Sequence, residues 1–153
     1  FIKYLQVDES FVKDGFLKFG VMNEHVHFRK GLFQDTVPSW NKNDKIAVLR
    51  VDGNFYDSYQ DVMYYMYENV PLGGIVIFDD VMADHPGVLR FWKDFKKEQK
   101  LVEEFNRIDN GSGWFRKIKS IKIDWKYFRA PQDVNRKVSC PSHIHQCHPS
   151  WSA

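Results

Sequence analysis

Two short apolar runs, each ending on acid, dominate the pattern of the chain. Ile46-Ala47-Val48-Leu49-Arg50-Val51 is nearly continuous in apolar residues and stops at Asp52-Gly53; Ile75-Val76-Ile77-Phe78 stops at Asp79-Asp80. β-branched runs of this length, without clean alternation, predict strands buried on both faces of a parallel sheet. Between them Val62, Met63, Tyr65, Met66 and Tyr67 form the broad apolar face of a helix ending near Asn69. Asp57 or Ser58 would be its N-cap and Pro71-Leu72-Gly73-Gly74 its stop. Asp84, His85 and Pro86 open a second helix. Its stripe is Val88, Leu89, Phe91, Trp92 and Phe95, and Lys96, Lys97 and Lys100 suit the negative end of its dipole.

The flanks read less strongly. Phe11, Val12, Phe16, Leu17 and Phe19 fall near helical spacing, with Gly20 where a terminating glycine belongs. Val26-His27-Phe28 alternates as a short strand, Gly31 breaks it, and Leu32 to Val37 leads through Pro38 to the polar turn Asn41-Lys42-Asn43-Asp44. Downstream, Val102 to Ile108 and Trp114 to Ile123 flank the turn Asp109-Asn110-Gly111-Ser112-Gly113, which predicts an antiparallel hairpin. Beyond Ala130-Pro131 periodicity disappears. Residues 1–130 are therefore expected to form one domain and residues 131–153 a disordered polar tail rich in His and Cys.

Strand, helix, strand, helix and hairpin together predict an α/β, Rossmann-like fold, in which ligands sit at the carboxyl ends of the strands. With 153 residues and 43% hydrophobic content, the chain can bury a core. Its net charge of +2 argues against nucleic acid or an anionic membrane as partner. A basic stretch from Arg116 to Lys137 reads as a solvated face. No apolar run approaches the ~20 residues of a membrane span. The only cysteines, Cys140 and Cys147, lie in the tail, so a disulfide framework is not expected and a cytoplasmic setting is. The chain opens on Phe1 rather than methionine, and a non-native start is expected.

Asp52, Asp79 and Asp80 stand at consecutive strand ends. If those strands are neighbours, ~4.8 Å apart, three carboxylates share one small volume at the rim. Ionised carboxylates tolerate that only with a cation among them or with a raised pKa. Oxygen-only ligands favour Mg²⁺, which would lower the pKa of a coordinated hydroxyl and orient it. Asp52 is the candidate catalytic residue, and Tyr56, close to it in sequence, a candidate for the substrate pocket. His85 is within reach as a general base. The tail residues Cys140, His143, His145, Cys147 and His148 are soft ligands without the spacing of a closed zinc site.

The ordered set Gly31-Leu32-Phe33-Gln34-Asp35-Thr36-Val37-Pro38, Ala47-Val48-Leu49-Arg50-Val51-Asp52-Gly53-Asn54-Phe55-Tyr56-Asp57-Ser58, Pro71 to Asp80 and Gly113-Trp114-Phe115-Arg116-Lys117 resembles the C-terminal portion of the macrocin O-methyltransferase family. The resemblance implies a class I methyltransferase fold and Mg²⁺-dependent methyl transfer from S-adenosylmethionine to a small-molecule hydroxyl, in relatives that of a sugar. It carries the metal ligands onto Asp52, Asp79 and Asp80. Asn54 stands where the family usually has a second acid. The first strand, the glycine-rich donor loop and the ribose-binding acid of that fold would precede residue 1; Gly73-Gly74 and Gly111-Ser112-Gly113 are wrongly placed to replace the loop. The sheet is then expected to show an open edge, to be covered by a second copy or a partner chain. The alternative function is a non-catalytic structural or binding subunit.

Overall fold

Helix α1 (Glu9–Lys18) ends as its glycine predicts. Gly20 takes φ 66°, and its N–H and that of Val21 reach back to the carbonyls of Leu17 and Phe16, both at 3.0 Å. The computed structural model describes residues 7–82 and 86–129, which divide at Lys30 and Gly31 into two compact units. In the first unit no residue of α1 is buried, and residues 26–28 form no strand. Strands need a ladder partner; Phe28 packs edge-on against Phe16 at 5.5 Å instead.

The second unit begins with α2 (Phe33–Thr36) and a 3₁₀ turn (Val37–Ser39), then β1 (Val48–Val51), α3 (Tyr56–Met66) with a 3₁₀ turn (Tyr67–Asn69), β2 (Ile75–Phe78), α4 (Pro86–Glu98), β3 (Asn106–Arg107), β4 (Gly113–Arg116) and a last 3₁₀ turn (Trp125–Tyr127). The sheet order is β1-β2-β4-β3. β1 and β2 run parallel with Val51 opposite Phe78, and β4 is antiparallel to both β2 and β3. This is the expected α/β fold with its C-terminal hairpin, and β1 stands at a sheet edge. Among the described residues no helix is long and apolar enough to cross a membrane.

Three expectations change in detail. The strands are not buried on both faces. Leu49, Val51, Val76, Phe78 and Phe115 are buried, whereas Val48 is 54% exposed, Arg50 is exposed, and Ile75 and Ile77 are half-buried. The reason is one-sided cover, because rings from both α3 and α4 pack on Phe78, with Tyr59 at 4.7 Å and Phe91 at 6.2 Å. The hairpin strands are shorter than expected. The buried Glu103 carboxylate accepts the N–H groups of Val102 and Ile118, which a longer ladder would have used. Finally, α3 starts at Tyr56 with Phe55 as N-cap and no side-chain cap, ahead of the expected Asp57 or Ser58. Asn54 turns left-handed at φ 58° and begins the turn early. Asp84 and His85, expected to open the helix and the latter also the candidate general base, and the tail with its cysteines and histidines, lie outside the described residues.

The basic flank is not wholly solvated. Lys117 is buried, its ammonium donates to the carbonyls of Tyr67 and Val70 at 2.9 and 2.8 Å, and burial holds its pKa below the usual lysine value. It closes the end of the 3₁₀ turn that leads into β2.

Arg129 pairs with the buried carboxylate of Asp61 at 2.7 Å. Burial pushes the Asp61 pKa up, against the pull of Arg129. In an Arg129→Met chain the carboxylate keeps its burial and loses its cation, at a cost of about 2 kcal/mol at pH 7. A carboxyl whose folded pKa is raised costs stability above that pKa and returns it as pH falls. Urea unfolding at pH 7 and pH 4 should therefore show a deficit that shrinks in acid; a deficit independent of pH would assign it to lost packing.

Candidate active site at the strand ends

The register Val51 to Phe78, continued by the Asp79 N–H bonded to the Val51 carbonyl at 2.9 Å, sets Asp52 beside Asp79. Arg50 and Asp52 on one strand and Ile77 and Asp79 on its neighbour are two residues apart, so they share the open face of the sheet. There the Arg50 guanidinium bridges the acids: Nη2 lies 3.1 Å from Asp52 Oδ2 and also pairs with Asp79 Oδ2. β4 contributes a third strand end. Gly113 opposes Phe78, so Ser112 falls opposite Asp79, and its hydroxyl donates to Asp79 Oδ1. The turn that presents Ser112 is held by Asp109, whose Oδ1 accepts the N–H groups of Gly111 and Ser112 at 2.7 and 2.6 Å.

Below the rim, the buried Tyr59 hydroxyl lies within hydrogen-bond range of the carbonyls of Val51, at 3.0 Å, and Asp79. One proton serves two acceptors and ties the ends of β1 and β2 together. Gly53 is required here because a Cβ would sit 2.7 Å from Cβ of Ser58. Asn54 and Asp80 both adopt left-handed backbone, φ 58° and 59°, one after each acid-bearing strand. Asn and Asp are the non-glycine residues that tolerate this conformation best, and here they turn the chain just after each strand.

The two acids are electrically unequal. Burial first, then the hydrogen bond and charge of Asp79, push the Asp52 pKa up, while Arg50 opposes. Burial alone would raise Asp79 too, but the Ser112 hydroxyl, the Asp52 carboxyl and Arg50 outweigh it and hold Asp79 below the usual range. Asp79 is thus held in its anionic form more firmly than Asp52.

Of the residues singled out by sequence, the structure joins Asp52 and Asp79. Asp80 is near enough for its charge to raise the pKa of Asp52. Among the described residues no three acidic, imidazole or thiol groups form a metal-holding cluster. The donor chemistry still suits Mg²⁺, which takes one or two carboxylates and completes its shell with water and substrate oxygens. Tyr56 is placed elsewhere. It is buried in the seam between α3 and α4, with its hydroxyl donating to Asp94 Oδ2 at 3.3 Å and its ring edge-on to Phe91. Arg50, Ser112 and Tyr59 are site residues that sequence reasoning missed. The one signal was Arg50, a charge inside an apolar strand.

A sequence model described as macrocin O-methyltransferase (TylF) matches residues 1–117. Demethyldecarbamoylnovobiocin O-methyltransferase of Streptomyces niveus is 40% identical over 82 residues, 54% of this chain and 31% of that protein. A Streptomyces olivaceus protein, 8-demethyl-8-(2,3-dimethoxy-alpha-L-rhamnosyl)-tetracenomycin-C 4'-O-methyltransferase, is 34% identical over 73 residues, 48% of this chain and 28% of that one. The solved O-methyltransferase NovP superposes with a TM-score of 0.69 at 30% identity, covering 74% of this chain and 46% of its own. The chain spans about a third of the length of these curated relatives.

Proposed function

This chain belongs to the macrocin O-methyltransferase family, and from that premise we propose that it is part of an enzyme transferring a methyl group from S-adenosylmethionine to a hydroxyl of a small molecule, a sugar hydroxyl in particular. The observation that carries the reading is the unequal acid pair, Asp52 and Asp79, at adjacent ends of parallel strands. That is where ligands of such sheets react. The sugar is supported by the rhamnosyl group in the name of the Streptomyces olivaceus relative. The donor would be held by the portion of such enzymes that this chain does not span.

The acids, Ser112 and Tyr59 each have a task in this reading. Asp79, kept anionic by Ser112, and Asp52 would hold Mg²⁺ together, with Asp80 adjoining. Bound there, the ion supplies Lewis acidity that makes an acceptor hydroxyl easier to deprotonate. Asp52, half-exposed at the rim beside Asp79, would be the base placed to receive that proton. Tyr59, kept neutral by burial and by the acids around it, fixes the separation of the strand ends and takes no proton itself. The outer edge of β1 is where a further strand of the same protein, or of a second copy, would add.

The test is transfer of radiolabelled methyl from S-adenosylmethionine to a panel of deoxysugar glycosides by the whole protein, with and without EDTA. Transfer that EDTA abolishes and Mg²⁺ restores is the expected result. Transfer indifferent to EDTA would remove the metal. No transfer, and no binding of S-adenosylhomocysteine by folded protein, would favour a binding subunit.

A further inference from the structure

Arg50 has no part in the chemistry just described, yet it lies between the two residues that do. Its guanidinium contacts an oxygen of each acid, Oδ2 of Asp52 and Oδ2 of Asp79. Its charge also acts on both carboxyls in the directions given above. A strand in this fold has no need of arginine at that position. Arg50 faces Ile77 across the ladder on the open side, and its side chain remains 57% exposed. A buried arginine would be locked in its pairs, whereas one this exposed can leave for water at little cost.

We propose that Arg50 is a resident counter-cation of the acid pair, holding Asp52 and Asp79 together in the metal-free chain and competing with a divalent ion for the same oxygens. The inference rests on reading the pair as a metal site. Two like charges on adjacent strand ends repel, and one guanidinium nitrogen, Nη2, contacts an oxygen of each without closing the rim. When the metal enters, its double charge replaces the single one and the guanidinium swings out. The site then binds metal more weakly than its carboxylates alone would, but stays assembled when empty. Arg50 is thus a positioning residue that sets metal affinity.

The experiment is calorimetric titration of the EDTA-stripped 153-residue chain with MgCl₂, comparing wild type, Arg50→Gln and Arg50→Lys, with circular dichroism to establish that each is folded. Removing a unit charge a few ångströms from the ion should tighten Mg²⁺ binding by roughly tenfold in Arg50→Gln. Arg50→Lys, which keeps the charge, should stay near wild type. A residue needed only for structure would weaken binding when removed, so tightening is the distinguishing sign. Equal or weaker binding by Arg50→Gln, with wild-type binding intact, overturns the role of Arg50 and leaves the metal site standing. No binding by wild type or by Arg50→Gln would overturn the metal reading, and the competition with it.

Discussion

Asp52→Asn is expected to lower the Mg²⁺ affinity of the chain by at least about 100-fold, and methyl transfer by the whole protein with it, while stability changes by less than about 0.5 kcal/mol. The substitution keeps the shape of the side chain and removes its charge. Asp52 is half-exposed, its ion pair is with the similarly exposed Arg50, and its pKa is already raised by burial and by Asp79. Losing its charge therefore relieves repulsion while breaking a weak surface pair, and the two nearly cancel. Asp79→Asn would be a poorer test, because Ser112 and Arg50 both hold that carboxylate. Calorimetric titration with MgCl₂ beside a thermal melt separates the outcomes: unaltered affinity would remove Asp52 from the ligands, and a large fall in melting temperature would make it structural.

The acids themselves were legible because a strand ending on aspartate needs only local pattern to recognise. Their partners were not. Arg50 meets Asp79 across 29 residues and Ser112 meets it across 33, and both contacts depend on register, which no local pattern prints. The placing of the tyrosines was not legible for a related reason. Each residue of an α-helix turns about 100°, so an N-cap at Phe55 instead of Asp57 or Ser58 changes which ring faces the strands. Tyr59 is brought under the rim, and Tyr56 is carried into the seam with α4. Burial parity was half legible. The alternation was there, in Arg50 between Leu49 and Val51, but the apolar neighbours masked it. Whether a face is covered depends on where the helices pack, and in this unit both pack on one side.

That one-sidedness predicts the largest stability effect in the molecule, because it separates two neighbouring residues of β2. Phe78 is fully buried, and its ring meets Tyr59 at 4.7 Å, Phe105 at 5.2 Å, Trp92 at 5.8 Å and Phe91 at 6.2 Å, with Phe115 at 6.3 Å. Phe78→Ala removes the ring on which α3, α4 and β4 converge, and the surrounding aromatics are too rigid to collapse into the space. The expected cost is about 3–5 kcal/mol. Ile77, on the open face and half-buried, should cost about 1 kcal/mol when cut to alanine. Both variants leave the sequence of the acids untouched, but Phe78 is the residue before Asp79 and opposite Val51, whose carbonyl anchors Tyr59. A cavity there loosens the strand ends, so Phe78→Ala should also weaken Mg²⁺ binding in conditions where it is still folded, and Ile77→Ala should not. Urea unfolding of the two variants against wild type decides the matter. Equal losses would mean that both faces of β2 are covered in solution, and that the acid pair opens onto an enclosed site rather than an exposed rim.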